Sequence, residues 1–183
     1  MSNSPGNADF ITGTDLILGG ARSGKSALAE QRARASGKRV VYVATAEARD
    51  GEMSDRIGHH RQRRPADWQT VEEPLHLAQA LREHQQLDTL ILVDCLTLWL
   101  SNLLCREDDA LLQQEKAALL DHLATNPDLI LVSNETGLGV VPLGELSRRF
   151  VDEAGWLHQA TAAQARRVTL VVAGLPLQLK PQR

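Results

Sequence analysis

At 183 residues, 43% hydrophobic and 23% charged, the chain has the composition of a single globular domain able to bury a core. A net charge of −3 gives no global field toward nucleic acid or anionic membrane, and aromatics at 3% are too few for a base-stacking platform. No apolar run is long enough to span a bilayer, which argues against membrane insertion; Cys95 and Cys105 have neither metal-ligand nor redox spacing and read as buried thiols of a cytoplasmic protein.

Taken in order, residues 1–12 are small and polar with no basic flank or apolar stretch. They read as a flexible tail rather than a signal peptide, ahead of one domain over 13–183. The chain then turns on Asp15-Leu-Ile-Leu-Gly-Gly-Ala-Arg-Ser-Gly-Lys-Ser26. Gly19, Gly24, Lys25 and Ser26 fit G-x-x-x-x-G-K-[ST], the spacing of a phosphate-binding loop. In such a loop the glycines let successive N–H groups of Gly19, Gly20, Ala21, Arg22, Ser23 and Gly24 turn inward as an anion nest. The helix that follows adds the positive end of its dipole. Lys25 supplies a point charge for the β- and γ-phosphates, and the Ser26 hydroxyl supplies an oxygen to Mg²⁺. The competing reading is a plain strand-to-helix turn.

Apolar, β-branched-rich runs recur at Leu16–Leu18, Arg39–Thr45, Thr89–Asp94, Asp128–Ser133 and Val168–Ala173, with a short additional strand at Trp68–Glu72. Near-continuous rather than alternating apolar strands predict a mostly parallel sheet covered on both faces. Helical patterns fill the gaps: Ser26–Ser36 closed by Gly37 as C-cap, Pro74–Gln85 with proline in the first turn, about Asp109–Ala124, and Pro142–Arg167. Strands alternating with helices give an α/β fold of right-handed crossovers.

Three further stretches carry chemistry. Thr89-Leu-Ile-Leu-Val-Asp94 is an apolar strand ending in an acid, the place where phosphate-loop proteins hold Mg²⁺ directly or through water. The alternative makes Asp94 a cap for the segment starting at Cys95. In Glu52–Pro65, two adjacent histidines sit among Arg56, Arg61, Arg63 and Arg64. If Ser54 caps a helix, Arg56, His60 and Arg64 share one face, with His59 turned about 100° away and Pro65 ending the helix. Arginines beside His60 favour its neutral, nucleophilic form and attract phosphate; the alternative is a solvated basic helix with incidental histidines. Finally, Leu131–Pro142 runs from an apolar strand into Asn134-Glu135, two glycines and a proline, at the carboxyl edge where α/β sheets bind ligands; by itself it also reads as a glycine-rich connection. The last strand, ending at Gly174 and Pro176, looks structural.

Together these pieces resemble the bifunctional adenosylcobinamide kinase / adenosylcobinamide-phosphate guanylyltransferase family. The resemblance rests on Gly19-Gly-Ala-Arg-Ser-Gly-Lys-Ser26, Tyr42-Val-Ala-Thr-Ala46, Glu52-Met with Arg56-Ile-Gly-His-His60, and Arg64-Pro-Ala-Asp-Trp68. It continues through Ser133-Asn-Glu-Thr-Gly-Leu-Gly139 and Phe150-Val-Asp-Glu-Ala-Gly155, in the family's order from Asp15 to Lys180. It implies a P-loop NTPase, RecA-like fold and subunits in a ring, often trimeric. It further implies guanylylation of His60 and nucleotide contacts from Gly19–Ser26, Ala44, Thr45, Ala46, Arg61, Gln62, Arg63, Arg64, Glu72 and Asp94. The family commonly carries Glu where this chain has Asp94, and Lys-Asp-Gly-Arg where it has Arg61-Gln-Arg-Arg64. The implied substrates are ATP, GTP, adenosylcobinamide and its phosphate, with Mg²⁺. Two other functions fit the residues alone: a small-molecule kinase in which His60 only binds substrate, and a nucleotide-gated switch.

Overall fold

The computed structural model describes residues 12–47 and 67–180. The proposed tail, apart from Thr12, and the whole Glu52–Pro65 stretch lie outside them. Seven strands form one sheet in the order β3-β2-β4-β5-β1-β6-β7. They are β1 Thr14–Gly19, β2 Arg39–Ala44, β3 Gln69–Glu72, β4 Thr89–Asp94, β5 Leu129–Asn134, β6 Arg167–Val172 and β7 Leu175–Lys180. All neighbours pair in parallel except β6 and β7, which form an antiparallel hairpin at one edge. The helices are α1 Lys25–Ala35, α2 Leu77–His84, α3 Leu96–Leu104, α4 Asp109–Leu123 and α5 Glu145–Gln164.

Alternation along the strands divides the core into two layers. Leu16, Leu18, Val41, Val43, Ile91, Val93, Leu129, Leu131 and Val168 point to one side, where α2 to α5 cover them with Leu77, Leu81, Trp99, Leu103, Leu119 and Leu157. Ile17, Val40, Tyr42, Leu90, Leu92, Ile130, Val132 and Val171 point to the other, against Ala29 and Ala33 of α1 and against Trp68. Small residues let α1 lie close over the centre of the sheet, and so the loop between β1 and α1 sits at the middle of the carboxyl edge.

At the opposite, amino edge, α1 is tied down. Asp15 accepts from Arg32 of α1 at 2.9 Å and from Arg167 of β6 at 2.6 Å, and Arg32 also donates to Thr169 at 3.0 Å. Asp15 and Arg167 are buried, so neither charge has water to return to if its partner is lost.

Four boundaries differ from the sequence reading. Pro74 lies outside α2: the Glu73 carboxylate accepts from the amides of Leu75 (2.9 Å) and His76 (2.8 Å), a local turn that delays the helix to Leu77. The last long helix starts at Glu145, three residues beyond Pro142, and stops at Gln164 because Ala165 is extended and the Arg166 amide donates to Thr14 O at 2.8 Å. The apolar segment after Asp94 is a full helix, α3. The stretch after Gly174 is strand β7, turned back by Ala173 and Gly174 at φ 51° and 80°. Gly37 has the left-handed conformation expected of a C-cap, φ 67°.

Candidate active site

The loop from Gly19 to Ser26 leaves β1 at the carboxyl edge and enters α1 at Lys25. Gly19 is demanded by contact: a Cβ there would lie 2.7 Å from the carbonyl oxygen of Val171 in β6 and 2.5 Å from Ser23 Oγ. Gly24 is demanded by conformation, φ 99°, and by packing, because a Cβ would meet Gly174 Cα at 3.3 Å. Arg22, at the exposed tip, also has positive φ, 55°. The turn closes through Ser23 N to Gly20 O at 3.3 Å, and the β6–β7 turn supports it from below through Gly174 N to Ser23 O at 2.8 Å. Ser23 Oγ is buried with no hydrogen-bond partner among the described residues.

Lys25 is only 9% exposed, and its Nζ donates to Gly20 O at 3.1 Å, so the ammonium arches back over the loop it follows. Its field reaches the end of β4. Burial first, and Asp94 second, push the Cys95 thiol up, while the Thr97 hydroxyl, the Leu98 backbone and, least, Lys25 work against both. The Lys25 ammonium and the loop backbone therefore share one neighbourhood.

Strand register places the other predicted residues. Ala44 pairs with Glu72 on one side and Asp94 on the other, so Glu72, Ala44 and Asp94 form a row across β3, β2 and β4. Asp94 is half-buried at the last position of β4, and Tyr42 Oη donates to its Oδ2 at 3.0 Å. It is not the cap of α3, whose N-cap is Cys95 with no side-chain hydrogen bond. Thr45 is fixed between strands: its Oγ1 donates to Cys95 O at 2.7 Å and accepts from Cys95 N at 3.0 Å. Asn102 of α3 donates to Thr45 O at 2.7 Å and to Pro74 O at 3.2 Å. The Ala44-Thr45-Ala46 turn is thus held against β4 and α3. Glu72 belongs to the same edge but stands four strands from β1, roughly 19 Å at ordinary strand spacing. His60, Arg61, Gln62, Arg63 and Arg64 lie outside the described residues.

For a metal, the donor chemistry fits. Ser26, half-buried in the first turn of α1, offers a hydroxyl, and Asp94 offers a carboxylate oriented by Tyr42. Both are hard oxygens of the kind Mg²⁺ takes. Among the described residues no group of three or more His, Cys, Asp or Glu could hold a metal ion. A sparse protein contribution of this sort suits Mg²⁺, which fills its shell with phosphate and water.

One constellation was visible in sequence only as Asn134-Glu135. β5 lies between β4 and β1, and Asn134 pairs in register with Gly19. The Glu135 amide donates to Gly19 O at 3.0 Å, which pins the residue to the Gly19–Ser26 loop. The Glu135 carboxylate accepts from Gly137 N at 2.6 Å and stands 3.8 Å from Nδ1 of His158 on α5. The far nitrogen of that ring, Nε2, meets Ser133 Oγ at 2.8 Å. Burial pushes His158 down, with Glu135 opposing, so the imidazole is neutral at pH 7. Asn134 Oδ1 is buried without a partner among the described residues. Ser133 and His158 gave no separate signal because they are 25 residues apart and meet only through the β5–α5 crossover.

A family model described as cobinamide kinase / cobinamide phosphate guanyltransferase matches residues 15–179. The chain is 64% identical over 167 residues to the bifunctional adenosylcobalamin biosynthesis protein CobP of Pseudomonas aeruginosa, covering 91% of this chain and 96% of that protein. It is 38% identical over 179 residues to the bifunctional adenosylcobalamin biosynthesis protein CobU of Escherichia coli K12, covering 90% and 98%. Among solved structures, the flagellar accessory protein FlaH of Methanocaldococcus jannaschii superposes with a TM-score of 0.54 at 13% identity, over 93% of this chain and 79% of that one. The RadB recombinase does so at 0.52 and 18% identity, over 87% and 74%. These two likenesses bear on the fold alone.

Proposed function

This chain belongs to the cobinamide kinase / cobinamide phosphate guanyltransferase family, and from that premise we propose how its residues divide two reactions on one nucleotide site. In the first, ATP or GTP sits in the Gly19–Ser26 loop and its γ-phosphoryl group passes to a hydroxyl of adenosylcobinamide. Lys25 and the loop amides stabilise charge on the transferring group, and the work is positioning and electrostatics. In the second, His60 attacks the α-phosphorus of GTP and pyrophosphate leaves. Adenosylcobinamide phosphate then attacks the GMP–histidine phosphoramidate to give adenosylcobinamide-GDP. Covalent catalysis splits one hard transfer into two easier ones. Mg²⁺, when bound with the nucleotide at Ser26 and Asp94, offsets charge on the phosphate oxygens.

Arg22 neutralises the leaving pyrophosphate, while Ala44–Ala46, Arg61–Arg64 and Glu72 contact the nucleotide. The protein works in the cytoplasm as a homo-oligomer, with neither nucleic acid nor membrane as partner. Among the described residues no helix is long and apolar enough to cross a membrane. The observation that carries the reading is the Lys25 ammonium, arched over a glycine-built loop whose strand neighbours on one side end in Asn134 and, one strand further, Asp94.

The test is incubation with α-labelled GTP. Wild-type protein is expected to acquire an acid-labile, alkali-stable label and to phosphorylate cobinamide. His60→Ala should lose the label and keep much of the kinase activity. Kinase activity without any label in the wild type would reduce the protein to a plain kinase. Slow hydrolysis with no corrinoid acceptor, coupled to partner binding, would make it a switch.

A further inference from the structure

The mechanism above leaves one proton without a destination. A hydroxyl that attacks phosphorus must lose its hydrogen, and no residue so far assigned receives it. The carboxylates at the carboxyl edge of the sheet can be compared one by one among the described residues. Glu47 pairs with Arg106 at 2.8 Å. Glu73 is occupied by the amides of Leu75 and His76. Glu72 stands on edge strand β3, four strands from β1. Asp94, two strands from β1, holds the Tyr42 hydroxyl and is assigned above to Mg²⁺ binding. Of these carboxylates Glu135 alone follows a strand adjacent to β1, and its own amide is bonded to Gly19 at the root of the phosphate loop.

We propose that Glu135 is the general base of phosphoryl transfer to cobinamide, with His158 and Ser133 as the residues that position it. This rests on the kinase half of the function proposed above. As the acceptor oxygen bonds to the γ-phosphorus, the bond from that phosphorus to the β,γ-bridging oxygen breaks. The nucleoside diphosphate leaves with the electron pair, and the hydroxyl proton passes to the Glu135 carboxylate, which returns it to solvent after product release. The carboxylate suits the task. It is 21% exposed, reachable by substrate yet sheltered, and Gly137 N fixes one of its oxygens at 2.6 Å. Behind it, the His158 ring is buried and braced by Ser133 Oγ, so its Nδ1 edge is held toward the other oxygen. The buried Oδ1 of neighbouring Asn134, unpartnered among the described residues, is a second acceptor at the same strand end. Proton transfer by a placed carboxylate contributes about 10²- to 10⁴-fold to such a step.

The full-length chain and its E135Q variant would be compared in three measurements: phosphorylation of adenosylcobinamide, self-labelling by α-labelled GTP, and nucleotide affinity. E135Q is isosteric and leaves the backbone bond to Gly19 in place. It is expected to lose about 10²-fold or more in kinase kcat, with KM for the acceptor, nucleotide affinity and guanylyl labelling retained. E135D, a carboxylate set one methylene back, should recover part of the loss. H158Q should lower kinase kcat less than E135Q and leave labelling unchanged. Wild-type kinase kcat in E135Q overturns the assignment while the two-reaction reading stands. So does an equal loss of phosphorylation and labelling, which would make Glu135 a support of the loop rather than a base. A wild-type chain that phosphorylates no cobinamide overturns the functional reading, and this assignment with it.

Discussion

Gly19→Ala is the sharpest test of the phosphate loop, because the adjacent Gly20 supplies its control. A methyl group at Gly19 would stand 2.7 Å from Val171 O and 2.5 Å from Ser23 Oγ. The serine can rotate away, but the carbonyl belongs to β6, which is hydrogen-bonded to β1 along five registered pairs from Asp15↔Arg167 to Gly19↔Val171. Relief requires β1 and β6 to separate at their carboxyl ends by several tenths of an ångström. That movement also disturbs Gly19 O, the acceptor for the Glu135 amide. Overpacking of this kind costs about 1–3 kcal/mol. For a domain of this size each kcal/mol moves the melting temperature about 2–4 °C, so the midpoint should fall by roughly 2–12 °C. Nucleotide affinity should drop by about tenfold or more, since a shift worth about 1.4 kcal/mol in the aligned amides suffices. A Cβ at Gly20 meets nothing within 4 Å, and Gly20→Ala should leave the midpoint unchanged or slightly raised. Differential scanning calorimetry and titration with a non-hydrolysable nucleotide measure both effects. An unshifted Gly19→Ala midpoint, or equal damage from the two substitutions, would refute the packing argument.

Two further outcomes follow from the same geometry. Asp94→Asn keeps an oxygen for the Tyr42 hydroxyl but loses the charge, and should raise the Mg²⁺ concentration for half-maximal kinase activity by about tenfold or more, read from Mg²⁺ titrations of rate. An unchanged requirement would remove Asp94 from the metal site. Burial holds the His158 and His122 imidazoles below the ordinary histidine value, with Glu135 opposing at His158 and Arg82 adding to the effect at His122. The unfolded chain then takes up protons at a higher pH than the folded one. The stability these rings contribute is complete above about pH 6.5 and declines as pH falls through that value toward the folded-state pKa values. Melting midpoints should therefore drop between about pH 7.5 and pH 5, and H158Q should flatten that slope. A midpoint that rises on acidification would contradict the assignment of buried, neutral rings.

Local patterns made most of the architecture legible. Five of the strands are near-continuous apolar runs, and the pattern of glycines and a lysine between Gly19 and Ser26 has one dominant physical use. Thr89–Asp94 was read to the residue because burial on both faces removes any ambiguity of period. β7 escaped because Leu175, Leu177 and Leu179 alternate with Pro176, Gln178 and Lys180 after a glycine, a weak pattern for an edge strand exposed along most of its length. The start of α2 was misplaced because a side chain, Glu73, satisfied the amides that a first helical turn would otherwise leave open. In the site, the loop and Asp94 could be found from spacing. Tyr42, Thr45 as an interstrand clamp, Asn102 and the Ser133–His158–Glu135 set could not be assembled, because their partners are joined by tertiary packing across 23 to 57 residues.

The Asp15, Arg32 and Arg167 cluster sits at the pole of the sheet opposite the nucleotide loop, yet it fastens both elements between which that loop is strung. Breaking a shielded charge pair of this kind typically costs about 3–5 kcal/mol, yet removes no residue of the Gly19–Ser26 loop. Damage at that pole would therefore leave an enzyme of normal turnover in the cold and a short working life in the warm. A conditional loss of cobalamin synthesis could thus arise far from any substrate.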